Sequence, residues 1–308
     1  MLKFTNMNNQ KITLSYVTTT YNKLPYLKEV LGRLIAERQP DEEIIVVDGG
    51  SKDGTPEYLQ QLHSEGKIQQ WKTEPDKGES HGTNKGMLMA QGELIKIITD
   101  DDAFYYPAIR ECKEFMLKNN QYDLLASDGV SVSWTRPDHF RPSSYFLPYE
   151  KYRQEGKPFD FCGLGLMIRR SSLPLIGLFH TSFTRIDAEY SLRITAGKGL
   201  LAWYSGPVWA RILNPQSNSL VMKKRQEIEV KKLNHFYSDL KPGQKVEIDP
   251  HTWFDVLKGW LWRKKKQIVR KIRPFNMPAT APQGIQEAFA RCDGWLKKAN
   301  EEQPGKFL

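Results

Sequence analysis

Apolar and polar residues alternate in blocks through the first hundred positions of the chain. Residues 12–18 are rich in β-branched and aromatic side chains, and residues 42–48 form an apolar run. Both patterns are typical of strands, the second of a strand that is buried on both faces of a parallel sheet. Between them, apolar side chains recur every three or four residues from Leu27 to Ile35, which predicts a helix that ends near Arg38.

The same alternation continues through two more helices and two more strands. Thr55 and Pro56 open the second helix, residues 68–72 form a strand, a glycine-punctuated helix covers about 80–91, and residues 92–99 form another strand. This order predicts an α/β fold with a Rossmann-like, doubly wound mixed sheet that is mostly parallel and has right-handed crossovers. Ligands of such sheets bind beyond the carboxyl ends of the strands.

Beyond residue 103 the pattern is less regular. Apolar spacing predicts helices near 108–119 and 187–196. A stretch rich in proline and aromatic residues lies between them at 133–158, and we interpret it as a loop.

Composition and charge divide the chain into two parts. Of its 308 residues, 39% are hydrophobic and 26% are charged, which is typical of a folded, soluble protein and excludes wholesale disorder. The net charge of +9 is concentrated in residues 222–273, where 15 Lys and Arg stand against 6 Asp and Glu. We therefore predict an α/β domain over residues 1–220 and a basic, mainly helical C-terminal region over residues 221–308.

The N-terminal sequence, the apolar runs and the cysteines indicate where in the cell the protein is expected. The first ten residues lack the apolar stretch of a secretory signal, and no later run approaches the roughly 18 apolar residues of a membrane-spanning helix. Cys112, Cys162 and Cys292 form no CxxC pair, so we expect reduced cysteines and a cytoplasmic protein.

Three consecutive carboxylates, Asp100, Asp101 and Asp102, directly follow an apolar strand. If strand geometry continues, Asp100 and Asp102 point to the same side. Adjacent carboxylates repel one another unless a cation binds them, and a hard divalent cation such as Mg²⁺ or Mn²⁺ would share its coordination with substrate phosphates. The alternative is a solvated acidic turn.

Two glycine-containing segments offer groups for a nucleotide. Asp48 ends a predicted strand and precedes two glycines, so it is placed to accept a hydrogen bond from a base or ribose, although a tight turn explains the pattern equally. Lys77 and Lys85 lie near glycines before or within a small-residue helix. They suit a diphosphate, and the alternative is that they are surface lysines.

Asp187 and Glu189 stand at the start of a predicted helix. Acids at this position stabilise a helix by about 0.3–1 kcal/mol, which is one explanation for them. The other is that a carboxylate at the edge of a cleft acts as a general base and takes a proton from an attacking hydroxyl.

Taken in order, these segments resemble family 2 glycosyltransferases with the GT-A fold, over about residues 11–220. The resemblance is carried by VTTTYN, VVDGGSKDGT, EPDKG…NKG, ITDDDAF and IDAEYSLR. It implies an inverting, metal-dependent enzyme that moves a sugar from a UDP-, GDP- or dTDP-linked donor to a hydroxyl acceptor. The expected setting is the synthesis of surface polysaccharide or glycolipid. The alternative is a non-catalytic scaffold of the same fold that binds nucleotide sugars.

The resemblance also implies roles for single residues. The base and ribose of the nucleotide are held by Thr19, Tyr21 and Asp48. The divalent cation, Mn²⁺ or Mg²⁺, is held by Asp102 as the preferred contact together with Asp100, while Asp101 faces the nucleotide or a backbone group. The catalytic base is Asp187, and Glu189 is its accompanying acid.

Some positions depart from the family pattern. Relatives often have an acid and an alanine where this chain has His81 and Gly82, and we interpret His81 as a polar surface or cleft residue rather than a metal ligand. Many relatives also carry a histidine metal contact after the base. The matching region here offers Asn214 instead, so either metal affinity is weaker or Asn214 or Ser217 substitutes for it.

Residues 251–274 place tryptophan, leucine and isoleucine at near-helical spacing beside clustered Lys and Arg. Such an amphipathic helix can lie on an anionic membrane, where each well-placed cation contributes about 1 kcal/mol. This favours a peripheral position at the inner face of the cell membrane and a lipid-linked saccharide as acceptor. The alternative is that the aromatic residues pack on the α/β domain. No nucleic-acid partner is expected, since no reading motif accompanies the basic residues.

Overall fold

The computed structural model describes residues 11–134, 136–143, 145–197, 199–214, 217, 222–238 and 281–308. The strands are β1 Leu14–Thr20, β2 Glu42–Asp48, β3 Gln70–Thr73, β4 Leu94–Ile98, β5 Ala103–Phe104, β6 Leu124–Ser133, β7 Arg136–Ser143, β8 Met167–Arg169 and β9 Leu201–Leu213. The helices are α1 Leu24–Glu37, α2 Thr55–Ser64, α3 Glu79–Met89, α4 Tyr106–Lys118, α5 Phe146–Glu155, α6 Leu173–Ile176, α7 Ile186–Ala196, α8 Lys223–Ser238 and α9 Ala281–Glu302. A short 3₁₀ turn, Gly163–Gly165, precedes β8.

The described strands form one mixed sheet. Their order is β3-β2-β1-β4-β8-β6-β9-β5, and β7 pairs with β6. Strands β1 to β4 are parallel to their neighbours in the first half, and β6 runs parallel to β9, whereas β8 joins the two halves in antiparallel pairing. The predicted α/β class and the parallel first half are therefore confirmed.

Helices cover both faces of the sheet. On one face, buried residues of α1, α2, α4 and α9 form a single apolar cluster with side chains of the strands. On the other face, α3, α5 and α7 contribute to a second cluster with Val17, Ile45 and Trp203. Because both faces are covered, the strands read as apolar runs, and their side chains are almost all buried.

The predicted loop at 133–158 is wrong, because it contains β7 and α5. Strand β7 lies off the main strand order and pairs with β6 alone among the described strands, and most of its side chains are at least partly exposed. Pro137 and Pro142 are tolerated there, since an edge strand has backbone groups that need no partner. An exposed edge strand lacks the apolar alternation by which strands are recognised.

The described parts of the C-terminal region are helices. Helix α9 packs against α1 and β9 and buries Phe289, Cys292 and Leu296. The division near residue 220 stays a prediction, and residues 251–274, with their predicted membrane contact, lie outside the described residues. In the part of the chain that the structure describes, no helix has both the length and the apolarity needed to cross a membrane.

Candidate active site

The acids and glycines singled out in the sequence converge on the carboxyl ends of β1, β2 and β4. Thr20 pairs with Asp48 at the end of β2, and Thr18 pairs with Ile98 at the end of β4. The segments Gly49–Thr55 and Thr99–Asp102 therefore leave the sheet side by side. This is the edge at which α/β sheets of this kind bind ligands.

Asp48 organises the turn after β2. Its buried carboxylate accepts hydrogen bonds from the backbone N–H of Gly50 and Ser51, at 3.2 and 3.0 Å, and from the hydroxyls of Ser51 and Thr73. These donors fix the carboxylate and the loop that follows it. The structure thus places Asp48 at the predicted edge, with both its oxygens already bonded within the chain.

Asp76 is a site residue that sequence reasoning missed. A Cβ added at Gly49 would lie 2.9 Å from Asp76 Oδ2, and one added at Gly82 would lie 3.1 Å from it. The Gly82 Cβ would also come within 2.1 Å of Thr19 Oγ1. Glycine at 82, where relatives often have alanine, is therefore required by the close approach of α3 to β1. The two glycines were the available signal that a side chain lies between them.

The other predicted nucleotide contacts are less enclosed. Tyr21 is 59% exposed beyond the end of β1. Lys77 is exposed, and its backbone N–H donates to His81 Nδ1 at 3.1 Å. Lys85 is bound to Glu74, with 2.7 Å between Nζ and Oε1. Tyr21 and Lys77 are thus open to a ligand, whereas Lys85 already has a counter-ion.

Asp100 and Asp101 share a cation within the chain. The Lys23 ammonium lies 3.2 Å from Asp100 Oδ1 and 2.8 Å from Asp101 Oδ2. Burial alone would lower the pKa of Lys23, but these two carboxylates raise it well above its usual value. Burial raises the pKa of Asp100, and Lys23 opposes that shift. The carboxylates of Asp100 and Asp101 therefore converge on one position, which the Lys23 ammonium occupies.

Asp102 is directed differently. Its Oδ1 accepts the backbone N–H of Ile212 at 2.7 Å, and its Oδ2 accepts the Thr99 hydroxyl at 2.7 Å. Burial and the neighbouring charge of Asp101 raise the pKa of Asp102 to about 8. Strand β4 ends at Ile98, so the strand alternation on which the same-side placement of Asp100 and Asp102 depended does not extend to them, and their joint role stays a prediction.

Asn214 lies against these acids, as the resemblance to the family implies. Its Nδ2 donates to Asp101 Oδ2 at 2.8 Å, and the side chain is fully buried. The Ser217 hydroxyl accepts the backbone N–H of Asn214 at 3.1 Å. Asn214 is therefore beside the carboxylate pair, while Ser217 supports the backbone of Asn214.

Asp187 is the less constrained of the two acids on α7. Its Oδ1 accepts the N–H of Ala188 at 2.9 Å, its Oδ2 lies 3.4 Å from the N–H of Gly163, and Arg185 is 3.8 Å away. Its side chain keeps 26% of its surface exposed. A carboxylate with weak contacts and access to solvent is able to accept a proton from a hydroxyl.

Glu189 has a structural contact instead. It is buried and pairs with Arg193 one helical turn later, at 2.8 Å. Arg193 also donates to the carbonyl groups of Ile176 and Leu178. The second acid of the segment thus ties α7 to the end of α6.

Arg211 links the two groups of acids. It lies on β9, next to Ile212, whose N–H binds Asp102, and β9 also contacts the 3₁₀ turn Gly163–Gly165, where the N–H of Gly163 lies 3.4 Å from Asp187 Oδ2. The acids after β4 and the acid of α7 therefore belong to one region of the molecule. Burial lowers the pKa of the Arg211 guanidinium, whereas the neighbouring Cys162, Asp102 and Asp187 raise it. The sequence contained no signal for Arg211, because its place depends on the pairing of β9 with β6.

A divalent cation fits these residues only in company with a ligand. Among the described residues, no three His, Cys, Asp or Glu side chains are grouped to hold a metal ion. Two carboxylates, Asp100 and Asp101, converge on Lys23, and the carboxamide of Asn214 adjoins them. Mg²⁺ is typically held by one or two carboxylates with substrate phosphates, which is the donor set found here.

Two proteins of similar sequence are glycosyltransferases by name. Putative teichuronic acid biosynthesis glycosyltransferase TuaG of Bacillus subtilis is 29% identical over 133 residues, which are 41% of this chain and 53% of that protein. Glycosyltransferase GlyG of Streptococcus pneumoniae is 27% identical over 124 residues, 38% of this chain and 41% of that protein. The chain thus matches about half or less of the length of these relatives.

Solved structures share the fold at low identity. S. aureus TarS 1–349 in complex with UDP-GlcNAc has a TM-score of 0.56 at 15% identity, over 93% of this chain and 92% of that one. The mannosyltransferase PcManGT from Pyrobaculum calidifontis, in complex with GDP-Man and Mn²⁺, has a TM-score of 0.52 at 15% identity, over 93% and 88%. These neighbours confirm the GT-A fold. The model of glycosyl transferase family 2 matches residues 15–176, more than half of the chain, and the protein belongs to that family.

Proposed function

We propose that the protein is an inverting glycosyltransferase that moves a sugar from a nucleoside-diphosphate donor to a hydroxyl acceptor during the synthesis of surface polysaccharide. Family membership supports glycosyl transfer, and the teichuronic acid relative supports the polysaccharide setting. Support for the donor class comes from neighbours that bind UDP-GlcNAc and GDP-Man. The observation that carries the proposal is that both groups of acids adjoin β9, since Asp102 accepts the N–H of Ile212 and Asp187 lies against the 3₁₀ turn that contacts β9.

Asp187 is proposed as the base. It takes the proton of the acceptor hydroxyl while the oxygen attacks the anomeric carbon, and the bond from that carbon to the diphosphate breaks with its electron pair. One displacement from the opposite face inverts the anomeric configuration. Gly163 leaves room for this, since its missing Cβ would lie 3.1 Å from Asp187 Cβ.

Thr19, Tyr21, Asp48 and Asp76 are proposed to form the nucleotide side. Asp48 holds the turn rigid, and the carboxylate of Asp76 lies between Gly49 and Gly82 beside Thr19. The exposed ring of Tyr21 offers a surface for the base. Lys77 is open to a phosphate at the start of α3.

Asp100 and Asp101, with Asn214 beside them, are proposed to hold Mn²⁺ or Mg²⁺. Support for Asp101 in place of Asp102 comes from the hydrogen bonds that occupy both oxygens of Asp102. A bound divalent cation would neutralise the charge of the departing diphosphate. Lys23 must then give up its contacts with the pair.

A panel of UDP-, GDP- and dTDP-sugars, each with and without Mn²⁺, tests the donor assignment through the thermal stability of the protein. A ligand at 100 times its Kd stabilises the folded state by about 2.7 kcal/mol. We expect one nucleotide class to raise the melting temperature, and to do so more with Mn²⁺. No shift with any donor would overturn the proposed function.

Asp187→Asn tests the base. We expect donor hydrolysis or transfer to fall by about 10²–10⁴-fold, while the melting-temperature shift with donor is kept, because the amide cannot take a proton. Asp160→Asn is the matched control, since Asp160 is a neighbouring acid that pairs with Arg185 at 2.9 Å. Retained activity in Asp187→Asn would show that Asp187 is not the base.

Inversion is tested separately by NMR of the anomeric proton of the product, which reports the configuration of the new glycosidic bond.

A further inference from the structure

Arg211 is a partly buried arginine whose buried Nε makes no hydrogen bond among the described residues. Within that part of the chain no carboxylate forms an ion pair with it. A guanidinium carries five N–H donors, and leaving such a group buried and unsatisfied costs free energy.

Arg169 shows how this fold treats a buried arginine elsewhere. Its guanidinium donates to the carbonyl groups of Met116, Asn119 and Tyr122, and it pairs with Glu93 at 3.3 Å. Arg169 lies on β8 opposite Leu94, at the amino end of β4 and away from the candidate site. Arg169 thus has protein partners, and the absence of a partner for the Nε of Arg211 among the described residues is specific to the end of β9.

The groups that face Arg211 are Cys162, Asp102, Asp187 and Tyr145. Burial raises the pKa of the Cys162 thiol to about 12, and it raises the pKa of the Tyr145 hydroxyl as well, so neither is an anion near neutral pH. The buried Nε–H of Arg211 thus lacks a direct partner among the described residues, and a ligand can supply one.

The position of Arg211 identifies the chemistry of that ligand. It precedes Ile212, whose N–H binds Asp102, and it lies on the strand that contacts the 3₁₀ turn bonded to Asp187, the proposed base. In the proposed reaction the sugar-bearing phosphate occupies the region between the cation and the anomeric carbon. Arginine binds phosphate oxygens through two parallel N–H hydrogen bonds, which are charge-assisted and strong.

We propose that Arg211 binds the sugar-bearing β-phosphate of the donor and stabilises it as it departs. This inference rests on the proposed function. As the bond between the anomeric carbon and the β-phosphate oxygen breaks, its electron pair stays on that oxygen and the diphosphate gains one negative charge. The acceptor oxygen forms the new bond, and its proton goes to Asp187. Fixed N–H donors aimed at developing charge lower the barrier.

Arg211→Met, Arg211→Lys and the control Arg169→Met test this by calorimetric titration of the full chain with UDP, UMP, GDP and GMP in Mn²⁺. For whichever base the wild type binds, we expect Arg211→Met to weaken the diphosphate at least about tenfold and the monophosphate less than about twofold. Arg211→Lys keeps the charge and should show an intermediate loss. Arg169→Met should lower the melting temperature and leave the affinity for the diphosphate unchanged.

The rate of donor hydrolysis gives a second readout. In Arg211→Met we expect kcat to fall by about 10²-fold, more than KM for the donor rises, because the contact strengthens as the diphosphate leaves. Unchanged affinity for UDP or GDP overturns the inference, as does an equal loss for mono- and diphosphates. Selective loss of UDP-glucuronate binding with UDP unaffected also overturns it, since Arg211 would then read a sugar carboxylate. If the wild type binds none of these nucleotides and no dTDP either, the proposed function itself fails.

Discussion

Lys96 is a buried amine on β4 that the proposed mechanism does not use. Its Nζ donates to the carbonyl groups of Leu164 and Leu166, and it lies 5.4 Å from the centroid of the Phe104 ring. Burial lowers the pKa of Lys96 to about 7. The amine therefore ties the 3₁₀ turn that adjoins Asp187 to the centre of the sheet.

The stability of the protein should depend on pH through Lys96. In the unfolded chain a lysine keeps its proton up to its usual pKa of 10.5, whereas the folded protein releases it near 7. Between these values the unfolded state binds more protons, so the free energy of unfolding rises with pH. Urea unfolding at pH 7, 8, 9 and 10 should show this rise in the wild type and a weaker one in Lys96→Met. The exposed control Lys28→Met should keep the rise, and parallel curves for wild type and Lys96→Met would contradict the prediction.

Single residues show how far the sequence predicts the site. The acids Asp48, Asp100 and Asp187 are predicted as site residues because each ends or follows a strand or begins a helix. Asp76 and Arg211 were not found, because their roles depend on contacts between segments far apart in the chain. Asp76 lies between Gly49 and Gly82, and these glycines indicate that another group lies close to them without indicating which residue it is.

Helix α7 is held at its start by helix α8. Glu229 Oε2 accepts the backbone N–H of Thr184 at 2.8 Å, its hydroxyl at 2.7 Å, and the N–H of Arg185 at 3.1 Å. These groups immediately precede the helix that carries Asp187. A side chain from another helix thus supplies the cap that α7 lacks in its own sequence.

Glu229→Ala should therefore loosen the start of α7. We expect the free energy of unfolding to fall by about 2 kcal/mol, because two backbone N–H groups and a hydroxyl lose a charged acceptor. Hydrogen exchange at Thr184 and Arg185 should become faster. Glu227→Ala is the control on the same helix, where the side chain is 59% exposed and its nearest cation is 3.9 Å away. Equal protection of both amides in Glu229→Ala and wild type would show that the cap is unimportant.

Elements differ in how well the pattern of side chains predicts them. The bounds of β2 are those predicted, and β1, β4 and α3 begin or end within a few residues of prediction, because strands and helices packed on both sides have clear apolar periods. The exposed edge strand β7 has no such period. Strand β7 forms through its pairing with β6, and the residues of β7 alone do not predict that pairing.

At the scale of the whole molecule, α9 belongs to the same core as β1, α1 and α2. Phe289 is fully buried, and its ring lies 5.0 Å from the guanidinium of Arg33 on α1. Arg33 also pairs with Asp293 at 2.9 Å, and Trp295 stacks on Phe140 of β7 with 5.4 Å between ring centroids. This part of the C-terminal region therefore contributes to the stability of the α/β domain.

Phe289→Ala should destabilise the entire protein. Replacing a buried phenylalanine with alanine typically costs about 3–5 kcal/mol, from lost burial and the cavity that remains. Urea unfolding followed by tryptophan fluorescence should show one transition, shifted to lower urea. Lys297→Ala, on the exposed side of the same helix, should change the free energy of unfolding by less than about 0.5 kcal/mol. Two separate transitions would mean that α9 unfolds independently of the sheet.

The end of β9 concentrates much of the site in four residues. Arg211 has a buried Nε without a partner among the described residues, the backbone N–H of Ile212 binds Asp102, and Asn214 contacts Asp101. For protein engineering, this distinguishes segments that tolerate replacement from segments that do not. Segments such as β7 or the exposed face of α8 are open to replacement in a search for new acceptors. A single insertion or deletion in β9, by contrast, would displace Arg211, Ile212 and Asn214 together.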